Sequence, residues 1–372
     1  MARINFENGM TFDGDWKRIK KVMQKASLGK PITIGFLGGS ITQGCLSSTA
    51  QTCYAYLVYS WWKEKFPKAT VTYLNAGIGA TTSQFAVARV EEDLLRFHPD
   101  FTTVEFSVND ENTDFFKETY EGLVRKILLT ADGPAPFIIH NVFYDSGMNA
   151  EKQHACIGRH YGIPCVSMKS CVYPMVADGT IPNRDITPDD LHPNDYGHRI
   201  LADLVIHMLE RIYASFIQDS NQDYDTDVSL PDALTPNAYQ NSIRYRNQNS
   251  TPVLHGFVAD DTPQNHITEI FRNGWVSKQK GDSITFLIQG SNIAVQYRKS
   301  VTHPACIAKA IIDEDEEHAI VLDGNFEQTW GDCLFLQVLL HHGENKLHKI
   351  EIQTISGNPD TDVPFYLVSV IS

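Results

Sequence analysis

The sequence has no apolar run long enough to span a bilayer, and its first residues lack a basic segment followed by an apolar one. It also has little positive charge, because 31 Lys and Arg residues face 45 Asp and Glu residues and leave a formal net charge of -14. Nucleic acids and anionic lipid surfaces are bound through basic patches, so neither nucleic acid nor membrane is an expected partner. We therefore predict a cytoplasmic protein that acts on neutral or weakly charged molecules, and homo-oligomerisation is left open.

The cysteines and histidines form no convincing metal-binding pattern. There are seven cysteines, an odd number, with no C-x-x-C pair, which indicates buried thiols rather than disulfides or zinc ligands. His154, Cys156 and His160 could each bind a metal, but no fourth ligand stands at a suitable spacing. A Walker lysine and a G-x-G-x-x-G spacing are also absent, which argues against a phosphate cradle. We expect a site that works without metal or cofactor.

Residues 1–218 alternate between short apolar, β-branched segments and longer segments with helical periodicity. Strands are predicted to begin near Ile32, Val71, Phe101, Pro136 and Pro164, and helices over 54–66, 83–97, 115–129 and up to 214. Such alternation is typical of an α/β domain in which a parallel sheet is covered by helices on both faces, a three-layer α/β/α arrangement. Ligands of these sheets bind at the loops beyond the carboxyl ends of the strands.

The pattern changes after residue 218. Residues 219–236 are rich in Asp, Asn, Gln and Ser, which is typical of a linker. Residues 237–372 contain short segments of strand periodicity separated by turn residues, among them 283–290, 292–297, 308–313, 346–353 and 365–371. This pattern predicts an all-β sandwich or jelly roll. The predicted organisation is therefore a first domain over 1–218, a linker over 219–236 and a β-sandwich over 237–372.

A serine follows two glycines at the end of the first predicted strand, in the segment Gly38-Gly39-Ser40. Glycine lets backbone and substrate approach closely, and a helix that starts after the strand favours developing negative charge at its N-terminus. Ser40 is therefore well placed to act as a nucleophile. Taken alone, the same serine is equally suited to a turn or to a helix N-cap.

A serine nucleophile needs a general base, a group that orients the base and donors for an oxyanion. His192 can act as the base, and Asp189 lies three residues earlier, close enough to bind an imidazole N–H. The carboxamide of Asn109, the backbone amides of the loop 77–80 and the N–H of Ser40 can donate to an oxyanion. The competing interpretation is structural, with Asn109 as a turn former and Asp189 as a helix cap.

Four segments resemble, in the same order, the sequence blocks of the SGNH (GDSL-like) hydrolases: 38–42, 75–81, 107–110 and 189–193. The resemblance covers roughly residues 30–215 and implies an SGNH-type fold. Carried over by position, it implies that Ser40 is the nucleophile, His192 the base and Asp189 the orienting acid. Asp190 is the weaker candidate for the acid, because its spacing does not match Asp-x-x-His.

The same resemblance implies three oxyanion donors: the N–H of Ser40, the amide of Gly79 and the side chain of Asn109. Ala80 is the alternative to Gly79, since a backbone N–H serves equally from either residue. Ser107 departs from the glycine that often begins the third block, but this change leaves Asn109 in place.

The two-domain layout resembles bacterial carbohydrate acetylesterases, most of all the acetyl-mannan esterases of carbohydrate esterase family 17. This resemblance implies a serine esterase that removes O-acetyl groups from manno-oligosaccharides or related plant glycans through an acyl-enzyme. It also implies a sandwich similar to a carbohydrate-binding module, with acetylated oligosaccharide as the partner molecule. Trp330, in a polar loop, and Trp275 are candidate sugar-stacking residues, with core packing as the competing interpretation. The alternatives are a lipid or thioester hydrolase, and a carbohydrate-binding protein with an inactive hydrolase domain.

Overall fold

The chain divides into two compact units, Met1–Gln240 and Asn241–Ser372. The computed structural model describes residues 3–219, 224 and 229–372. Part of the predicted linker, residues 220–223 and 225–228, lies outside the described residues. The division falls after Gln240, slightly beyond the end of the predicted linker.

A six-stranded sheet forms the centre of the first unit, with strand order β1-β6-β5-β4-β2-β3. The strands are β1 (Met10–Phe12), β2 (Ile32–Gly38), β3 (Val71–Gly77), β4 (Phe101–Glu105), β5 (Ala135–His140) and β6 (Cys165–Ser167). Strands β2 to β6 are parallel, as the alternating pattern predicts. Strand β1 pairs antiparallel with β6 at one edge, and the sequence analysis missed it because three residues are too few to show a period.

Ten α-helical segments were found in the described part of this unit. They are α1 (Lys17–Ser27), α2 (Ser40–Gln43), α3 (Tyr54–Lys65), α4 (Ser83–Asp93), α5 (Asp114–Leu129), α6 (Glu151–His160), α7 (Met168–Cys171), α8 (Tyr173–Ala177), α9 (Asn183–Ile186) and α10 (Asp195–Gln218). Two of the main helices begin at side-chain caps: Thr113 accepts from the Phe116 N–H before α5, and Asn194 accepts from the Gly197 N–H before α10. No helix among the described residues is both long and apolar enough to cross a membrane.

The sheet is buried on both faces, which explains why its strands are continuously apolar. Ile34 and Phe36 of β2 belong to a core that includes residues of α1, α3 and α10. Leu37, on the opposite face of the same strand, is also fully buried. Helix α4 packs against α5, and α5 against α6. The predicted three-layer α/β/α fold is confirmed.

The second unit consists of two antiparallel sheets around a shared apolar core. The strands are β7 (Arg244–Tyr245), β8 (Val253–His255), β9 (Val258–Ala259), β10 (Trp275–Ser277), β11 (Ser283–Gly290), β12 (Ile293–Lys299), β13 (Ile307–Ile312), β14 (Ile320–Asp323), β15 (Cys333–Leu340), β16 (Lys346–Ser356) and β17 (Phe365–Ile371). One sheet has the order β15-β12-β17-β10-β9, with β7 also paired to β17, and the other has the order β14-β13-β16-β11-β8. Alternate residues of β11, namely Ile284, Phe286 and Ile288, point into the core. The predicted all-β C-terminal domain is confirmed.

Candidate active site

The loops beyond the carboxyl ends of β2, β3 and β4 carry the polar residues that the sequence analysis singled out. Ser40 begins the short helix α2, immediately after Gly39, and Gly79 and Asn109 follow β3 and β4. Parallel strands place these three loops at one edge of the sheet. His192 approaches the same edge from the loop that precedes α10.

Ser40, His192 and Asp189 form one hydrogen-bonded series. The Ser40 Oγ lies 2.8 Å from His192 Nε2, and His192 Nδ1 lies 2.7 Å from Asp189 Oδ2. Because a carboxylate only accepts, the Nδ1 carries the proton, and Nε2 is left to accept from the serine hydroxyl. This is the arrangement required to activate a serine nucleophile.

The carboxylate of Asp189 is held by its own loop as well as by the imidazole. Its Oδ1 accepts from the backbone N–H of Leu191 at 3.1 Å and of His192 at 2.7 Å, and from the Thr187 hydroxyl at 3.1 Å. Partial burial raises the pKa of Asp189, but the hydrogen bonds from His192 and from the two backbone amides outweigh it, so the pKa lies below its usual value. Asp189 is therefore an anion at neutral pH.

Asp190, the weaker candidate for the acid, faces away from the imidazole. Its carboxylate accepts two hydrogen bonds from the guanidinium of Arg184, at 2.8 and 2.9 Å, and one from the Asn183 carboxamide. Its backbone is left-handed, with φ of 69°, and its carbonyl accepts from the Tyr144 N–H. Asp190 therefore shapes the loop, while Asp189 contacts His192.

The two glycines before Ser40 are required by close neighbours. A Cβ on Gly38 would lie 2.1 Å from Thr42 Oγ1 and 2.7 Å from the Glu105 carbonyl oxygen. A Cβ on Gly39 would lie 2.3 Å from Asn109 Oδ1. The space at Gly39 is therefore filled by the carboxamide of Asn109, which brings this predicted oxyanion donor against the residue that precedes Ser40.

Gly79 also lies beside the serine, but its amide has a partner that the sequence analysis missed. A Cβ on Gly79 would lie 3.5 Å from the Ser40 Cβ. The Gly79 N–H donates to Gln43 Oε1 at 2.7 Å. Ala80, the alternative donor, has a left-handed backbone with φ of 55°. The amide of Gly79 can donate to an oxyanion only after the Gln43 side chain moves away from it.

The two tryptophans predicted to contact sugar have opposite environments. Trp275 is 1% exposed and packs edge-on against Phe286 in the sandwich core, where no sugar ring can reach it. The prediction for Trp275 is therefore wrong, and its indole is a core residue. Trp330 is 57% exposed, packs edge-on against Phe326 and donates from Nε1 to Gln328 Oε1.

The three residues considered as metal ligands from the sequence each make separate contacts. His154 is buried, lies 3.0 Å from Asp110 Oδ2 and stacks on the ring of Tyr120. His160 lies 2.7 Å from the carbonyl oxygen of Asp232. Cys156 is a free, half-buried thiol. Neither histidine faces a common centre with Cys156 in the part of the chain that is described.

A buried glutamate that the sequence analysis missed lies below the serine loop. Glu105 ends β4, is fully buried, and its backbone carbonyl accepts from the Gly39 N–H at 3.3 Å. One carboxylate oxygen accepts from the Ser107 hydroxyl at 3.3 Å, and the other has no hydrogen-bond partner among the described residues. Burial raises the pKa of Glu105 to about 7. A lone acidic residue within a strand pattern gives no sequence signal for this environment.

Glu105 should make the stability of the first unit fall as the pH rises. Its pKa in the folded chain, about 7, exceeds the ordinary value of 4.5, so the cost of ionisation is absent below pH 4.5 and complete above pH 7. Glu105→Gln removes this titration. The difference in unfolding free energy between the variant and wild type should therefore shift in favour of the variant by about 2 to 3 kcal/mol as the pH rises from 5 to 8. Urea unfolding at both pH values measures the change.

The control for this experiment is Glu64→Gln, which alters an exposed glutamate on α3. Equal pH dependence in wild type, Glu64→Gln and Glu105→Gln would show that Glu105 does not ionise in this range.

Comparison with known proteins agrees with this geometry. The sequence profile of the GDSL-like Lipase/Acylhydrolase family matches residues 36–200. Two crystal structures of a two-domain esterase active on acetylated mannans are also similar to this chain, one of them co-crystallised with mannopentaose. Each is 52% identical in sequence and aligns over 100% of this chain and 98% of the esterase, with TM-scores of 0.95 for the mannopentaose structure and 0.93 for the other. No curated protein matches the sequence.

Proposed function

Because the chain belongs to the GDSL-like lipase/acylhydrolase family, we propose that it is a serine esterase that removes O-acetyl groups from manno-oligosaccharides. The observation that carries this proposal is the hydrogen-bonded series from Asp189 through His192 to Ser40. The choice of substrate rests on the esterase active on acetylated mannans, to which the chain is 52% identical over its whole length.

In the acylation step, Ser40 Oγ attacks the carbonyl carbon of the acetyl ester while His192 Nε2 accepts the hydroxyl proton. Asp189 stabilises the imidazolium that forms, because it is already ionised and bound to Nδ1. The imidazolium then donates its proton to the departing sugar oxygen. The sugar leaves with a free hydroxyl, and the acetyl group remains on Ser40.

In the second step, His192 accepts a proton from the water that attacks the acetyl carbon of the acetyl-serine. The imidazolium then returns this proton to Ser40 Oγ as the bond between Oγ and the acetyl carbon breaks, which releases acetate and restores the serine hydroxyl. Both steps pass through a tetrahedral oxyanion. We assign its stabilisation to the N–H of Ser40 and the carboxamide of Asn109, which lies against Gly39. The N–H of Gly79 joins them once the substrate oxygen takes the place of Gln43 Oε1.

The test of the proposed function uses three families of acetylated oligosaccharide, based on mannose, xylose and chitin units. Each is incubated with the protein, and mass spectrometry follows the loss of acetyl groups. We expect deacetylation of the manno-oligosaccharides, and no deacetylation by the Ser40→Ala variant. A preference for xylo- or chito-oligosaccharides would overturn the choice of substrate. Faster hydrolysis of long-chain aryl esters than of aryl acetate would point instead to a lipid hydrolase.

We assign to Trp330 a sugar-stacking role in the sandwich, since its indole is exposed and its ring is held by Phe326 and Gln328. Trp330→Ala should weaken binding of mannopentaose about 5- to 20-fold, which corresponds to the loss of one stacked aromatic face. Isothermal titration calorimetry measures the affinity. The control is Leu287→Ala, an exposed apolar residue on β11 of the same unit. Unchanged affinity in Trp330→Ala would exclude the role.

The cysteines support a further part of the proposal, a reducing and therefore cytoplasmic location. All seven thiols are free, and five of them are buried. The substrates would then be imported oligosaccharides rather than intact polysaccharide.

A further inference from the structure

The bond between Ser40 and His192 joins residues that are 152 positions apart in the chain. Ser40 follows β2, whereas His192 lies on a loop ahead of α10. We infer that Asp195 and His198, in the first turn of α10, are positioning residues that hold the His192 loop against the segment after Ser40. We call these two residues the α10 clamp. The inference rests on the proposed function only because esterase activity is its readout.

Asp195 attaches α10 to two points of the segment after Ser40. Its Oδ1 accepts from the Ser48 N–H at 2.8 Å and from the Thr52 hydroxyl at 2.7 Å. Its Oδ2 accepts from the Ser48 hydroxyl at 2.6 Å. These hydrogen bonds, from Ser48 first and then from Thr52, lower the pKa of Asp195 to about 2. The carboxylate is thus ionised over the whole working range, and both of its oxygens are committed to this contact.

His198 makes the second attachment, and it is fully buried. Its Nδ1 lies 3.3 Å from the Tyr54 N and accepts the N–H that would otherwise be unpaired at the start of α3. Its Nε2 therefore carries the proton and donates to the Cys45 carbonyl at 3.2 Å. The imidazole also stacks on the ring of Tyr54, with an interplanar angle of 15°. A neutral ring in one tautomer satisfies all of these contacts.

The clamp is connected to both catalytic residues by short links. On one side, the Cys45 N–H donates to the Ser40 carbonyl at 2.9 Å, and the Cys45 carbonyl accepts from His198 Nε2. Cys45 thus connects His198 to the backbone of the nucleophile by two hydrogen bonds. On the other side, Asp195 lies three residues after His192, and only Pro193 and the N-cap Asn194 intervene. A shift of α10 would therefore change the distance between Ser40 Oγ and His192 Nε2.

Proton transfer is sensitive to that distance, and a displacement of about 1 Å can lower a rate about 100-fold. The Ser40–His192 hydrogen bond is itself too weak to set the position of a 24-residue helix. Between the same two segments, the clamp supplies five hydrogen bonds, three to Asp195 and two to His198, and one stacked pair of rings. It therefore has the contacts needed to set the alignment.

The experiment compares Asp195→Ala and Asp195→Asn in the full chain, with an aryl acetate as substrate. We expect kcat to fall about 10- to 100-fold in Asp195→Ala while KM stays within about twofold, because alignment changes and the substrate contacts do not. Asp195→Asn should be intermediate, since its remaining oxygen still accepts from Ser48 and Thr52. The rate at which a fluorophosphonate labels Ser40 should fall in parallel with kcat, because labelling needs His192 but no sugar.

The matched control is Asp203→Asn, which removes a charge from the same helix where Asp203 pairs with Arg199 at the surface. This variant should keep the wild-type kcat. Where Asp195→Ala fails to fold, Ser48→Ala and Thr52→Val each remove one hydrogen bond to Asp195 and should each lower kcat by a smaller factor.

The inference is overturned by wild-type kcat and labelling rate in a folded Asp195→Ala variant, or in both Ser48→Ala and Thr52→Val. It is equally overturned by a loss of activity that only matches the unfolded fraction seen by circular dichroism. Failure of the proposed function is distinguishable from these results, because Ser40→Ala would then retain activity or acetylated manno-oligosaccharides would resist the wild-type protein.

Discussion

Ser40→Ala should lower kcat for aryl acetate hydrolysis by about 10⁴- to 10⁶-fold, the largest effect expected of any single substitution in this chain. The variant lacks the oxygen that attacks the ester, so no acyl-enzyme can form. The proposed oxyanion donors, namely the N–H groups of residue 40 and Gly79 and the carboxamide of Asn109, remain in the variant. Any residual rate should come from their stabilising the oxyanion that forms when water attacks the ester directly. Steady-state kinetics of the purified variant, with acetate release as a second assay, measure the loss.

The control for Ser40→Ala is Ser60→Ala, which removes a hydroxyl from α3 outside the site. Ser60→Ala should keep the wild-type kcat. Ser40→Ala should remain folded, since the substitution removes a single hydroxyl at the start of the short helix α2. Retention of more than a small fraction of kcat by folded Ser40→Ala would exclude the serine mechanism.

Asp189→Asn should lower kcat by about 10³- to 10⁴-fold, although it changes a single oxygen to a nitrogen. An asparagine can turn its NH₂ group toward His192 Nδ1 and so favour the tautomer whose proton is on Nε2. That tautomer cannot accept the proton of Ser40. The negative charge that stabilises the imidazolium is also lost. Measurement of kcat and KM on aryl acetate should show a loss confined to kcat.

The neighbouring acid provides the control for this experiment. Asp190→Asn should lower kcat by less than about tenfold, because Asp190 contacts Arg184 and not His192. Asparagine also tolerates the left-handed backbone of this position. Equal losses in Asp189→Asn and Asp190→Asn would mean that the loop as a whole, rather than the Asp189 carboxylate, supports the base.

The strands and helices that could be predicted are those whose own residues show the period of a strand or a helix. The apolar run before Ser40 became β2, and the helical periodicity over 54–66 and 115–129 became α3 and α5. Helix ends were less accurate: the helix predicted to extend to 214 continues to Gln218. The residue at which a helix ends depends on contacts with other parts of the chain, and hydrophobic periodicity within the helix carries no information about those contacts.

Candidate residues were predictable where chemistry dictates both residue type and spacing. Asp189 and His192 are three residues apart, so one loop can bring them into contact, and the structure does so. Trp275 shows the limit of this reasoning, since an aromatic residue has the same sequence signal whether it faces a sugar or a core. Trp330 differs from it only in exposure, which depends on the packing of the whole sandwich.

The sequence by itself determined the alternation of strands and helices, the all-β character of the second half, and the identities of a serine, a histidine and an acid suited to ester hydrolysis. These properties depend on residue types and on short spacings, which any local segment carries. Only the tertiary structure decided that Ser40 Oγ lies 2.8 Å from His192 Nε2. It also decided that the Asn109 carboxamide lies against Gly39, and that the Gly79 N–H donates to Gln43 Oε1. Each of these contacts joins loops from different strands, and their distances depend on how the sheet and α10 pack.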